Sequence, residues 1–181
     1  MIPREMIPYV DLVALDPSGE AHHARVMNHA WPRLWAWLAC SHDDLLDASI
    51  VERGIMPHEP VRLDADLTRR LGDALASDLS TGEIDEAIRA MLDHYASLDL
   101  VECDPCDGTG IRTDQIGVML GLADVELDET TSIAVGRDRG TCDVCSGFGR
   151  HEHPETRFTF ERETVEMFSM FLRTCGGMVI L

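Results

Sequence analysis

Residues 103–110 read CDPCDGTG and residues 142–149 read CDVCSGFG. Both fit Cys-x-x-Cys-x-Gly-x-Gly, and the rest of the chain is organised around this pair. Two cysteines three positions apart can point both sulfurs at one ion if the chain turns sharply between and after them. Two such pairs supply four thiolates, the closed tetrahedral set of a structural zinc site. The repeat therefore predicts one structural zinc held by Cys103, Cys106, Cys142 and Cys145. The glycines carry a second argument. After each second cysteine the chain must fold back under the metal, on a path that favours positive φ and no side chain. Gly108 and Gly110 sit at the same offsets from their cysteines as Gly147 and Gly149.

Other uses of these residues fit less well. A redox CxxC normally opens a helix in a βαβ setting, whereas glycines follow here and no helical pattern begins. GTG and GFG lack the lysine and preceding strand of a phosphate loop. Between Cys106 and Cys142 lie 35 residues, against about 15–20 in a compact zinc ribbon. The metal is thus expected to close a long excursion with structure of its own.

The chain has 181 residues, 45% of them hydrophobic, which suits one domain or a domain with a zinc-bearing appendage. No run of 18 apolar residues occurs, so no membrane span is expected. The start, MIPREMIPYV, has no apolar signal core. A cytoplasmic setting follows as the expectation, and it suits reduced cysteines. The net charge is −18, and all 15 basic residues are Arg. Across 101–150, ten acids face four arginines, a net of −6 before four thiolates on a dication make it more negative. Phosphate contacts need clustered cations. A basic protein partner, or imitation of nucleic acid, fits this charge better than DNA binding does.

Residues 8–15 favour a strand, 16–19 (DPSG) a turn, and 20–27 a returning strand, together a β-hairpin. His22 and His23 fall on opposite faces and read as surface histidines. Asn28 to Asp47 reads as helical, with Asn28 as cap and Pro32 in the first turn. Its three tryptophans are expected mostly in the core, with Trp35 as a candidate partner contact. Ser41, Asp43 or Asp44 is expected to start a new helical turn. A loop spans Gly54 to Pro60. Leu67, Leu71, Leu75 and Leu79 predict an amphipathic helix over about 64–79. Ser80 and Glu83 suggest a capping box for the next helix. Ile84, Ile88, Met91, Leu92, Tyr95 and Leu98 form its buried stripe, and this helical pair is expected to position the zinc module.

Inside the excursion, Asp114 to Asp124 reads as a short helix with Ile116, Met119, Leu120 and Leu122 inward. Residues 125–139 read as an acidic loop, with Ile133 and Val135 in a short strand. Arg150 and Arg157, in the least acidic stretch, are candidate contacts for a phosphate or an acidic partner. From Arg162 to Thr174 a last helix places Met167, Phe168, Phe171, Leu172 and Cys175 on one face, and Gly176-Gly177 ends it. Met178–Leu181 reads as a buried strand beside the hairpin. Cys40 and Cys175 read as core thiols.

The CxxCxGxG repeat resembles the cysteine-rich domain of DnaJ-type co-chaperones. Those carry four copies and two zincs; two copies here suffice for one. The chain lacks a His-Pro-Asp motif, so no J-domain function is implied. The layout also resembles phage late-gene antitermination Q proteins, which embed the same paired repeat in a mainly helical chain. That resemblance implies zinc ligation by Cys103, Cys106, Cys142 and Cys145, and contact with promoter DNA and RNA polymerase.

These readings give an α+β protein, mainly helical, with an N-terminal β-hairpin and an inserted zinc-binding module. Residues 1–100 hold the hairpin and helices, 101–150 the zinc module, and 151–181 a helix and strand returning to the first part. The expected role is a small regulatory protein of phage or mobile-element type, acting by protein–protein interaction. The alternative is a nucleic-acid-binding transcription regulator of the Q kind. No catalytic residues are expected, because four cysteines fill the position a catalytic zinc keeps open.

Overall fold

The computed structural model describes residues 9–16, 23–27, 29–55 and 59–181. The described chain is α+β and mostly helical, with an antiparallel strand pair at its N-terminal end. It divides into two units. One comprises the described residues of Met1–His94 with Arg157–Leu181; the other is Tyr95–Thr156.

The first unit starts from the alternation in the hairpin. Strand β1 (Tyr9–Ala14) pairs antiparallel with β2 (His23–Met27), Leu12 opposite Ala24. Successive side chains leave opposite faces, so Val10, Leu12, Ala24 and Val26 go into the core. On the other face Asp11 accepts hydrogen bonds from His23 and Arg25, each at 2.9 Å. The C-terminal strand Met178–Ile180 pairs with β1, as expected, and also with Val61–Leu63, giving one four-stranded antiparallel sheet. With a neighbour on each side, Met178, Val179 and Ile180 are all buried. The turn expected at 16–19, His22 and the Asn28 cap lie wholly or partly outside the described residues.

Helices cover the sheet. The expected helix 28–47 ends earlier: α1 is Trp31–Ser41, and α2 (Ala48–Ile55) follows within what was expected to be partly loop. Asp47, rather than Ser41, Asp43 or Asp44, starts the new helix by accepting from the amides of Ser49 and Ile50. Trp31 and Trp35 stack at 5.1 Å, and Phe168 meets Trp31 edge-on at 5.6 Å. Trp31 Nε1 donates to Gly54 O at 2.6 Å and Trp35 Nε1 to Val51 O at 3.0 Å. Trp35 is 0% exposed. It is a core residue with its one polar atom satisfied, and the expectation that it contacts a partner is corrected.

Asp64 caps α3 (Ala65–Thr81), accepting from Leu67 N at 2.8 Å. Leu71 and Leu75 are fully buried. The capping box at Ser80 and Glu83 does not form: α3 runs through Thr81, Gly82 ends it in a left-handed conformation, and Ser80 Oγ donates to Ser77 O. Helix α4 (Glu83–Ala96) buries Ile84 and Tyr95, while Leu92 faces solvent. The last helix in this unit, Arg162–Thr174, keeps its expected bounds and packs on α3. Phe168, Phe171, Leu172 and Cys175 are buried on it; Met167 stays partly exposed. Cys40, expected in the core, is exposed.

The second unit contains Val101–Glu102 (β4), Gln115–Leu120 (α5), Glu129–Val135 (α6) and Arg150–His151 (β5). In chain order Val61–Leu63 is β3, Arg162–Thr174 is α7 and Met178–Ile180 is β6. The acidic stretch 125–139 is not a loop. Asp128 caps α6 by accepting from Thr131 N, so Ile133 and Val135 are helical. The chain flanking α6 pairs with itself: Leu127 N donates to Asp138 O, and Gly140 N to Val125 O.

Candidate metal centre

The two knuckles are joined at both ends by backbone. Before the first and after the second, β4 pairs with β5, Val101 opposite His151. Cys103 N then donates to Gly149 O at 2.9 Å. At the other ends Arg112 N donates to Thr141 O at 3.0 Å. The copies follow the same local course. Asp107 and Ser146, each directly after a second cysteine, have φ of 47° and 52°. Gly110 N donates to Cys106 Sγ at 3.3 Å, and Gly149 N to Cys145 Sγ at 3.2 Å. Sequence reasoning gave the fold-back to the glycines alone; its first left-handed residue is an Asp or a Ser. The glycines are needed for close approach. A Cβ on Gly110 would meet Gly147 O, and one on Gly149 would meet Gly108 O.

This scaffold brings all four cysteines together. Each is buried, and their sulfurs all lie within 4.8 Å of one another. Cys103 and Cys142 Sγ are 3.8 Å apart, and Cys106 and Cys145 Sγ 3.7 Å. These gaps are far too long for a disulfide, whose bond is about 2.05 Å. They match a tetrahedron around one ion, since metal–sulfur bonds of about 2.3 Å give edges of about 3.8 Å. The residues present therefore fit a metal ion. Among the described residues no other group of His, Cys, Asp and Glu is arranged in this way.

The electrostatics agree with that fit. Burial first, then the neighbouring thiols, push the Cys103 thiol well above the ordinary thiol range. Burial also raises Cys106, against the Gly110 amide. For Cys145 burial pulls upward too, but the Gly149 amide and the nearby thiols outweigh it and leave the group below its ordinary value. Four buried thiolates without a cation would repel one another, and a dication at their centre removes that cost.

Two arginines brace the knuckles, a role that their place in the sequence does not reveal beyond their charge. Arg112 is 9% exposed. Its Nε donates to Asp114 at 2.9 Å and its Nη1 to Asp143 at 2.8 Å, so it joins the exit of one knuckle to the interior of the other. Asp114 holds its guanidinium's proton most strongly, followed by Asp143; in return Arg112 lowers Asp114. Arg137 Nη2 donates to Gly110 O at 3.0 Å and Gly147 O at 2.6 Å, bridging the two copies. The available signal was their isolation: few cations stand in an acidic stretch, and a buried one must be paired.

Arg150 and Arg157, the other candidate contacts, are both exposed. His151 Nδ1 lies 2.7 Å from Glu152 O, and His153 Nδ1 accepts from Glu155 N. No helix among the described residues is long and apolar enough to cross a membrane. No protein-family model matches the chain, and neither a curated protein nor a solved structure matches it.

Proposed function

We propose that the chain is a small zinc protein whose metal is structural and whose work is to bind another protein in a regulatory setting. One observation carries the structural role. In Tyr95–Thr156 the buried apolar residues are the four cysteines and Tyr95, and the cysteines form a cluster of their own. A unit of that size without an aliphatic core gains its folding free energy from the ion. Zinc is the ion that suits four thiolates at tetrahedral spacing, being borderline-soft and free of geometric demands. With four protein ligands there is no open position for substrate, so the site is read as non-catalytic. The paired repeat supports a phage or mobile-element origin through its resemblance to the Q proteins.

The surface supports a protein partner over a nucleic acid. Between Tyr95 and Thr156 stand thirteen acidic residues and four arginines, a net of −9. Of the four, Arg112 and Arg139 are in ion pairs and Arg137 is bound to backbone carbonyls. Of these four, Arg150 is left without such a partner to face a phosphate, with Arg157 exposed just beyond the unit. The test is twofold. Elemental analysis of untagged protein is expected to find one zinc per chain, and Cys103→Ser to abolish it together with the folded unit. Binding to duplex DNA is expected to be weak at low salt; tight, steeply salt-dependent retention would instead favour the Q-like reading.

A further inference from the structure

The sequence reading placed Ile116, Met119 and Leu120 inward, and the structure turns them out. On α5, Ile116 is 45% exposed, Val118 73%, Met119 75% and Leu120 53%. Only Gly117 is buried on this helix. The reason is steric: a Cβ at 117 would meet Arg112 O, so the bare side of the helix is the one pressed to the knuckle. Asp114 fixes this orientation. It accepts from Gly117 N at 2.8 Å while Arg112 Nε donates to it at 2.9 Å. Isolated exposed apolar residues are ordinary. Ile116, Met119 and Leu120 stand at i, i+3 and i+4 and so share one side, with Val118 next to Met119; on a helix held by its cap and a buried arginine, they form a preformed apolar surface centred on Met119.

We infer that α5 is the docking surface for a basic, amphipathic segment of a partner protein, which sets its apolar side on Val118 and Met119. The inference rests on the protein-binding reading above and gives it a place. Charge selects the occupant. The unit carrying α5 is −9 and most of its arginines are internally engaged, so the field around the patch is negative. A second copy, itself −18, would bring like charges together. An anionic lipid surface or a nucleic acid meets the same repulsion. A segment carrying Arg or Lys beside Leu or Phe gains on both counts, by burial and by attraction.

The experiment uses the full, metal-loaded chain and two defined probes: a helical peptide of Arg and Leu with an apolar stripe, and its counterpart with Glu in place of Arg. Binding is followed by fluorescence anisotropy, and the contact by amide shifts in NMR. The Arg/Leu peptide is expected to bind, to shift α5 amides and to weaken as salt rises, while the Glu/Leu peptide does not bind. Val118→Glu and Met119→Glu are both solvent-facing and should keep metal content unchanged, yet cut binding at least tenfold when combined. If the double variant binds the basic peptide as well as the parent does, α5 is not the site, although the protein-binding reading stands. If neither peptide binds, both fall. Loss of an α5-dependent dimer in the double variant, seen by sedimentation, or equal binding to phosphatidylglycerol vesicles, would assign the patch to those occupants and overturn the inference.

Discussion

Gly149 and Gly121 share a backbone conformation but not an environment. Their φ values are 74° and 65°. At Gly121 an added Cβ meets nothing within 4 Å, so Gly121→Ala bears only the left-handed strain, about 1–2 kcal/mol. At Gly149 the obstacle is the Gly108 carbonyl, which cannot swing aside as a side chain would. The same residue donates its amide to Cys145 Sγ. Gly149→Ala is expected to lower zinc affinity about 10–100-fold, as loss of an outer partner of a ligand does, while Gly121→Ala leaves it unchanged. Competition with a chromogenic chelator measures both. The thiols set a pH dependence of known sign. Cys103 lies above the ordinary thiol value of 9.0 because of burial and its neighbours, so without a cation it is protonated at neutral pH. Metal uptake must displace that proton, and affinity is expected to fall as pH is lowered. Cys145, held below its ordinary value against burial by the Gly149 amide and the nearby thiols, gives up its proton more readily than Cys103. Calorimetry in buffers of different ionisation enthalpy counts the protons released.

Helix α3 shows what the sequence makes legible and what it hides. Leucines at every fourth position marked its buried stripe, and Leu71 and Leu75 are indeed fully buried. What the pattern could not show is that Gly72 lets α7 come close. A Cβ there would lie 2.6 Å from Arg173 Cγ and 3.0 Å from Leu172 Cβ, and Ser169 Oγ donates to Gly72 O at 2.8 Å. Gly72→Val is therefore expected to destabilise by about 1–3 kcal/mol through overpacking, despite raising local helix propensity. Denaturant unfolding would show it as a lower midpoint with unchanged slope. Helix α5 failed for the opposite reason. Periodicity reports that apolar residues share a face, and the reading assumed that such a face points inward. In a unit whose buried apolar residues are Tyr95 and the four cysteines there is no aliphatic interior for it to meet, so the face remains outside. Helix α6 was missed because its residues are polar and β-branched; its cap, Asp128 to Thr131 N, was the readable signal. The cysteine pairs were legible because their chemistry needs fixed spacing, whereas Arg112 and Arg137 act across the excursion, where spacing carries no information.

At the scale of the whole chain, the two units differ in what fills their interiors, and metal removal should separate them. The first has a continuous apolar core, running from Leu12 and Trp31 through Leu71 and Leu75 to Phe168 and Ile180. Nothing in that core depends on an ion. The second has the cysteine cluster in place of a core. It also carries a net charge of −9, a self-repulsion that a dication at the centre would offset. Chelation at neutral pH under reducing conditions is therefore expected to expose the amides of 101–151 to rapid hydrogen exchange. These include the bonds of Cys103 N to Gly149 O and Arg112 N to Thr141 O, which protect them when the knuckles are closed. Amides in β1, β6, α3 and α7 should stay protected, since their partners lie within the first unit. Re-adding zinc should restore protection in 101–151, and moderate salt should assist by screening the acids. If chelation left those amides protected, the cysteine cluster would not be what holds the excursion closed. If it melted α3 and α7 as well, the chain would fold as one cooperative body with the metal at its base.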